Sequence, residues 1–380
     1  MTYRLLAMAA LLTSPTLQAD SFFDMFIDPE DGYLDGSDFL LEHDGILPVP
    51  IFITEPAVGN GLGLAGVYFH DPDPAWEGKL RDVNGRQRPS SISAGAVGAT
   101  SNDSKFVGGA HFGHYKKDTI RYEGIVGLAD INIDFYGTGA DGRSNDTDFK
   151  FNAEAMFISQ RIAFRLGQSD WFAGGEFNYT DMITRFERRG EIPKLEELSF
   201  DSTNASLGAV LLYDSLDSTF TPSSGIRSET LYSRYDEAFG GDYDYDSVVT
   251  KNQIHFAPFE NWTIGVRLDG SFVSGDIPFY ALPYIELRGI PALRYQGENV
   301  VTTEVQMNWN FHRRWTAVGF LGAGRTANDR GDLDDASTES AGGFGFRYLG
   351  VRKLGLNTGL DFAKGPEESV VYISFGTKFQ

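Results

Sequence analysis

The sequence predicts an all-β fold, a transmembrane antiparallel β-barrel of about sixteen strands. Three observations carry this. From residue 49 onward, stretches of roughly ten residues alternate apolar with polar or tiny side chains, the two-residue period of strands. No stretch approaches the ~20 consecutive apolar residues that a membrane-crossing helix needs, and no helical period is sustained. The 380 residues include 44 glycines, 14% aromatics and no cysteine. That composition suits a barrel with a crowded lumen, and it excludes both a disulfide-stapled scaffold and a Cys-ligated metal site.

The N-terminus reads as an export signal. Arg4 is the sole charge before Asp20, an apolar run follows from Leu5 to Leu12, and Leu17-Gln18-Ala19 supplies a cleavage site. Residues 1–19 are therefore expected to be a signal peptide. Residues 20–48 form an acidic segment (Asp24, Asp28, Glu30, Asp31, Asp35, Asp38, Glu42, Asp44) without alternation, expected as a solvated tail on the periplasmic side. Asp31, Asp35, Gly36 and Glu42 fall at positions 1, 5, 6 and 12 of a calcium loop, but Tyr33 occupies position 3, where an oxygen ligand belongs, and flanking helices are not evident. No metal and no cofactor are expected. The formal charge of -21 argues against a nucleic-acid partner, because phosphate binding needs basic surface.

Strands are expected at 49–55, 61–70, 91–101, 105–116, 119–135, 148–166, 171–186, 203–214, 225–235, 247–257, 262–273, 300–311, 315–324, 340–350, 354–364 and 369–379. The faces separate most cleanly late in the chain. Thr302, Glu304, Gln306, Asn308, Asn310 and His312 oppose Val301, Val305, Met307, Trp309 and Phe311. Trp262, Ile264, Val266 and Leu268 oppose Thr263, Arg267, Asp269 and Ser271. A soluble sandwich also alternates. The export signal, the mixture of charges and glycines on the polar face, and aromatics near strand ends (Trp262, Trp309, Trp315, Phe379) favour a barrel in the outer membrane of a Gram-negative bacterium. In two long candidates the alternation changes phase, Arg121 and Glu123 against Asp130 and Asn132, and Asn152 and Glu154 against Arg161 and Arg165. Bulges near Gly124–Gly127 and Phe157–Gln160 are the expected cause. Short turns such as 217–224 and 260–261 are assigned to the periplasm, and long connections at 136–147, 187–202, 236–246, 274–299 and 325–339 to the outside. By strand parity the long segment 71–90 falls on the periplasmic side.

The second half resembles the bacterial surface antigen family, the barrel of BamA/TamA-type outer-membrane assembly and translocation proteins. Tyr213-Asp214-Ser215-Leu216-Asp217, with Phe220-Thr221-Pro222 and Gly225, looks like the family's periplasmic turn. Leu287-Arg288-Gly289-Ile290 sits in a long connection where the family keeps an Arg-Gly motif. Gly345, Arg347, Leu360-Asp361 and Phe375-Gly376 resemble its closing strands. Asp28-Pro29-Glu30-Asp31-Gly32 and the run from Leu47-Pro48-Val49-Pro50 to Thr54-Glu55-Pro56 are similar to short, barrel-only members. The likeness is loose over 45–380 and good over 205–380, and residues 20–48 are too short for one of the family's POTRA modules. It implies that Arg288, with Gly289, enters the lumen and pairs with acids on the wall. Glu304 and Asp361 are the expected acids, and Arg347 belongs to the same set. Where the family's wall strand carries Phe-x-Asp-x-Gly, this chain has Phe320-Leu321-Gly322-Ala323-Gly324, so one acidic partner is expected to be missing.

Other motifs carry less. Gly61-Leu62-Gly63-Leu64-Ala65-Gly66 matches a dinucleotide fingerprint in letters only, because no helix is expected to open from it. His111 and His114 are three apart on one strand and face opposite sides. No nucleophile signature such as G-x-S-x-G is present, so an enzyme is not expected. The leading expectation is a monomeric barrel in contact with outer-membrane lipids and barrel-assembly machinery. It would pass a polypeptide or lipid client, with its lumen closed by the 274–299 loop. The alternative is a diffusion porin.

Overall fold

The computed structural model describes residues 26–37, 46–70, 82–84, 90–138, 144–187, 199–219 and 221–375. The expected signal peptide, 1–19, and the last five residues, Phe379 among them, lie outside this range. Sixteen strands form one sheet in sequence order, every neighbour antiparallel: β1 (Leu47–Glu55), β2 (Gly59–Phe69), β3 (Ile92–Thr100), β4 (Lys105–Tyr115), β5 (Ile120–Thr138), β6 (Ser144–Arg165), β7 (Trp171–Glu187), β8 (Ser199–Asp214), β9 (Gly225–Tyr235), β10 (Tyr245–Phe259), β11 (Trp262–Gly275), β12 (Asn299–Trp309), β13 (Trp315–Ala327), β14 (Glu339–Val351), β15 (Leu356–Lys364) and β16 (Ser369–Phe375). The sheet curls until β1 and β16 lie side by side. Among the described residues no hydrogen-bonded ladder joins those two strands, so the barrel is nearly closed.

Hydrocarbon dictates which side chains face out. Every peptide group inside a bilayer must be paired within the protein, and a curled antiparallel sheet does this while presenting alternate residues to lipid. Leu62, Leu64, Val97, Val107, Val126, Leu128, Leu207, Leu211, Leu268 and Leu321 are accordingly exposed on the outer wall. Arg267, Glu304, Arg347 and Asp361, on the other face, are buried. Stacked Trp262 and Trp309, with Trp171 against Tyr213 and Trp315 against Tyr348, ring the periplasmic strand ends. Aromatics belong there because a membrane interface receives both their apolar faces and their polar edges.

The expected bulges in β5 and β6 are absent. Pairing runs without a break from Ile120–Phe164 to Tyr136–Asp148, and the register first shifts between Tyr136 and Thr138. The phase change has another cause. Arg121 and Glu123 share one face of β5 throughout, while Val126, Leu128, Asp130 and Asn132 share the other. The outer face turns polar at Asp130 because the long strands rise out of the hydrocarbon there. Above that level the inner face becomes the apolar one: Phe151 and Ala153 of β6 and Met182 of β7 form a buried cluster joined by Phe279 and Tyr280 from the β11–β12 loop. Of the segment 71–90 only 82–84 and 90 are among the described residues, and Asp82 reaches Arg165 at the periplasmic end.

Placing a charge on the outer face of β5 tests this reading. Val126→Arg, at mid-depth, should destabilise the barrel by about 2–4 kcal/mol in urea unfolding from lipid vesicles. Asn132→Arg, on the same face six residues on, should change it by less than about 1 kcal/mol.

Candidate functional site

The β11–β12 connection, 276–298, folds inward and touches walls that face each other across the bore. At one end, Phe279 packs on Phe151, Phe186 and Phe200, and the Tyr280 hydroxyl meets Ser202 and Asn204. At the other, Ala292 N–H donates to Glu55 of β1, and Arg294 and Tyr295 bind Glu367 beyond β15.

Between these anchors the Leu287–Gly289 stretch reaches the wall of β12–β16. Arg288 donates through Nη2 to Glu304 Oε1 at 2.5 Å and through Nη1 to Asp361 Oδ2 at 3.1 Å. Arg347 of β14 holds Asp361 with a fork of 2.6 and 2.9 Å. Glu304 and Asp361 are 2% and 0% exposed. The set is two guanidiniums against two carboxylates, so the buried charge sums to zero. That neutrality matters because a lone buried ion is strongly penalised. The Arg288 guanidinium also lies 3.6 Å over the Phe320 ring, a favourable seat for a desolvated cation. Gly289 N–H donates to the Tyr372 hydroxyl. Its φ of +97° and the close approach of Gly365 fit glycine, whose missing Cβ permits both. All five residues expected from the sequence, Arg288, Gly289, Glu304, Arg347 and Asp361, thus meet at one point.

Gly322, expected as a missing acid, has a different use. A Cβ there would lie 2.6 Å from Leu287 Cδ2, and one at Gly324 would lie 2.6 Å from Ile285 Cγ2. The glycine stripe of β13 is a bed for the loop's apolar side chains, and Ile285, Leu287 and Ile290 are buried there with Val300 and Ala341. Arg288 loses one acid and keeps Phe320 as its third contact. Below this lock, on the periplasmic side, a polar cavity of about 710 Å³ is lined by His255, Thr263, Gln306, Asn308, Thr316 and Arg347 among others.

A second arginine site was not legible in the alternation pattern. Residues 26–37 of the acidic segment, expected as a solvated tail, instead dock under the barrel. The Arg314 guanidinium, in the β12–β13 turn, is fully buried among Asp28 (2.6 Å), Asp31 (2.7 Å) and Asp35. Arg352, in the β14–β15 turn, adds Asp28 and Glu30. Main-chain bonds complete the docking: Gly36 N–H donates to Gly350 O, and the Tyr348 hydroxyl donates to Leu34 O. Asp31 and Asp35, two of the carboxylates at calcium-loop spacing, are thus occupied by arginine, and Glu42 lies outside the described residues. Hydrogen bonds from Arg314 hold the Asp31 carboxyl at about 2, well below its usual value. A third arginine, Arg165, binds Asp118 at 2.8 Å and Asp82 at 3.2 Å, with its guanidinium on the Phe172 ring. Burial alone would raise the Asp118 carboxyl. Hydrogen bonds from His114 and Arg121 override that and pull it far down.

Comparison with solved structures places this architecture among 16-stranded transmembrane barrels of the BamA and CdiB kind. The structure of BamA from Haemophilus ducreyi lacking POTRA domains 1–3 aligns with a TM-score of 0.56 at 13% identity, over 88% of this chain and 70% of that one. CdiB from Escherichia coli aligns at 0.58 and 10% identity, over 88% of this chain and 62% of its own. CdiB from Acinetobacter baumannii aligns at 0.50 and 8% identity, over 87% and 59%. The chain therefore spans under two thirds of either CdiB. At these identities the likeness is one of fold. No protein-family profile matches the chain, and no curated protein is similar to it.

Two outcomes check the docking. Arg314→Ala should loosen the acidic segment at neutral pH, because Asp31 and Asp35 would lose their cation and only Arg352 would remain, on Asp28 and Glu30. A fluorophore on Leu34→Cys, unique in a cysteine-free chain, would report this as increased mobility. In the wild type, a carboxyl whose pKa is lowered stabilises the docked state above its ordinary value and loses that contribution on protonation. The same label should therefore report release as pH falls from about 4 toward 2, and no release between 5 and 8.

Proposed function

We propose that this protein is an integral outer-membrane barrel of the assembly and translocation kind, with its bore shut by the 276–298 loop. It would release a polypeptide or lipid client through the bore or sideways at the β1–β16 seam. The observation that carries this reading is the loop lock. Arg288 ties a segment that bridges opposite walls to Glu304 and Asp361, deep in the lumen. A loop tied at this depth would narrow the path that solutes take, which favours a gated barrel over an open diffusion pore. The seam lacks a ladder among the described residues, and that supports opening at this edge over any other. The fold shared with BamA and CdiB supports the same class. Location in the outer membrane rests on that likeness together with the export signal.

Single-channel recording in a planar bilayer tests the proposal. The wild type should show small, erratic openings. Arg288→Ala should leave Glu304 and Asp361 short of a cation and convert these into larger and longer openings. Removing one member of a buried ion pair costs about 3–5 kcal/mol, enough to free the loop. A large, steady, salt-proportional current in the wild type, unchanged in Arg288→Ala, would instead identify a porin.

A further inference from the structure

Below the level of Asp130 and Glu154, the outer wall of β2–β6 is apolar except at its periplasmic rim. There His70, just past β2, and Ser93, His111 and Tyr115 form one hydrogen-bonded chain facing the membrane. His70 Nε2 lies 2.7 Å from Ser93 Oγ, Ser93 Oγ lies 2.8 Å from His111 Nδ1, and His111 Nε2 lies 2.6 Å from the Tyr115 hydroxyl. Their outward direction follows from the register. Ser93 pairs with Tyr68 on β2 and with His111 on β4, and on these strands the same face carries exposed Leu64, Val97 and Val107.

The cluster is built into the wall. Tyr115 lies back along its strand over Gly113, where any Cβ would collide with its ring, and so brings its hydroxyl to His111. Tyr122 lies over Gly124 in the same way, with a Cβ there falling 2.6 Å from the Tyr122 hydroxyl, and donates to Gln160. Polar groups on a lipid-facing wall are costly unless they meet a polar partner. Here they stand at the height of the headgroups of the periplasmic leaflet.

The proton count says what they can offer. If both imidazoles are neutral, the chain has two consistent states. When Tyr115 donates toward His111, every bond points toward His70 and leaves His70 Nδ1–H as a free donor. When the bonds run the other way, the Tyr115 O–H is free. Either state presents a donor at one end, and a proton added to either histidine presents donors at both ends along with a positive charge. Lys116 and Lys117 follow at once in the exposed β4–β5 turn. The outward carboxylates of β5 and β6, Asp130 and Glu154, stand six residues farther along from Gly124 and Gln160. In a chain of net charge -21, this is a local surface of donors and cations.

We propose that this rim binds the phosphate of an anionic phospholipid in the periplasmic leaflet, with His70 and Tyr115 at the ends of the chain donating to the phosphate, Ser93 relaying between the histidines, and Lys116 and Lys117 beside it. The proposal does not rest on the translocation reading. Native mass spectrometry of the full chain released from detergent tests it, with phosphatidylglycerol as the probe and diacylglycerol and inorganic phosphate as separate arms. The wild type should retain one phosphatidylglycerol more than the His70→Gln/His111→Gln double variant. The variant's affinity should fall about tenfold or more, as expected for losing hydrogen bonds to a charged group. Ser93→Ala, which breaks the chain at its centre with little change of shape, should weaken binding in the same direction. Heat-modifiable gel migration would confirm that both variants fold. Equal binding by folded variants, or equal retention of diacylglycerol, would overturn the proposal. Phosphate competing as well as the lipid would overturn the headgroup as its source. Labelling of Ser93 by a fluorophosphonate would overturn a holding role in favour of a nucleophilic one.

Discussion

A guanidinium taken out of water keeps its need for acceptors, and a planar fork accepts only a few arrangements of carboxylate around it. Much of what is specific in this structure follows from that need. The sheet alone is generic: alternate residues face lipid, and the peptide groups pair with neighbours. Three segments that might have stayed in solvent return to the barrel, and each is fixed at an arginine. Arg288 carries the 276–298 loop to Glu304 and Asp361. Arg314 holds the acidic N-terminal segment by three aspartates. Arg165 holds Asp82, from the long connection between β2 and β3, together with Asp118. Removing either partner would leave the other buried and uncompensated, so each tie is harder to break than a surface ion pair.

Glycine is the complement of these ties. The wall can receive a returning segment only where its own side chains are missing. Gly322 and Gly324 receive Leu287 and Ile285 on the inside, while Gly113 and Gly124 receive Tyr115 and Tyr122 on the outside. The same property serves two solvents. Inside, it sets the depth at which the loop docks and so brings Arg288 level with its acids. Outside, it turns two tyrosines along their strands and leaves a polar rim at the membrane interface. The loss of an acid at 322 is therefore a trade of one ionic contact for apolar packing, with the Phe320 face taking up the cation.

Seen from the two ends, the barrel is asymmetric. Its outer half is crossed by the loop and carries the Phe151, Met182 and Phe279 cluster. Its periplasmic half keeps a polar cavity, beneath which the acidic segment is strapped across the turns after β12 and β14. That segment leads on to β1, the strand at the seam. The strap and the loop therefore both bear on the same edge, the strap from the β12–β15 side and the loop through Glu55.

The sequence by itself determined the number of strands, their order and the face of nearly every residue, because a two-residue period set against hydrocarbon leaves no freedom in which side chains face out. The members of the Arg288 lock came from the resemblance of Leu287-Arg288-Gly289-Ile290 to the family's loop motif, with Glu304 and Asp361 on inward faces of the strands that follow. The sequence misled where one strand crosses from lipid into water, at Asp130 and Glu154, because a change of surroundings and a bulge leave the same mark on an alternation pattern. Only the tertiary structure could pair Arg314 with Asp28, Asp31 and Asp35, residues nearly three hundred positions away, or set Ser93 between two histidines on separate strands. Pairing of neighbouring strands and the return of the N-terminal segment bring such groups together. Charge attraction has no periodicity along the chain and so leaves no trace until those segments meet.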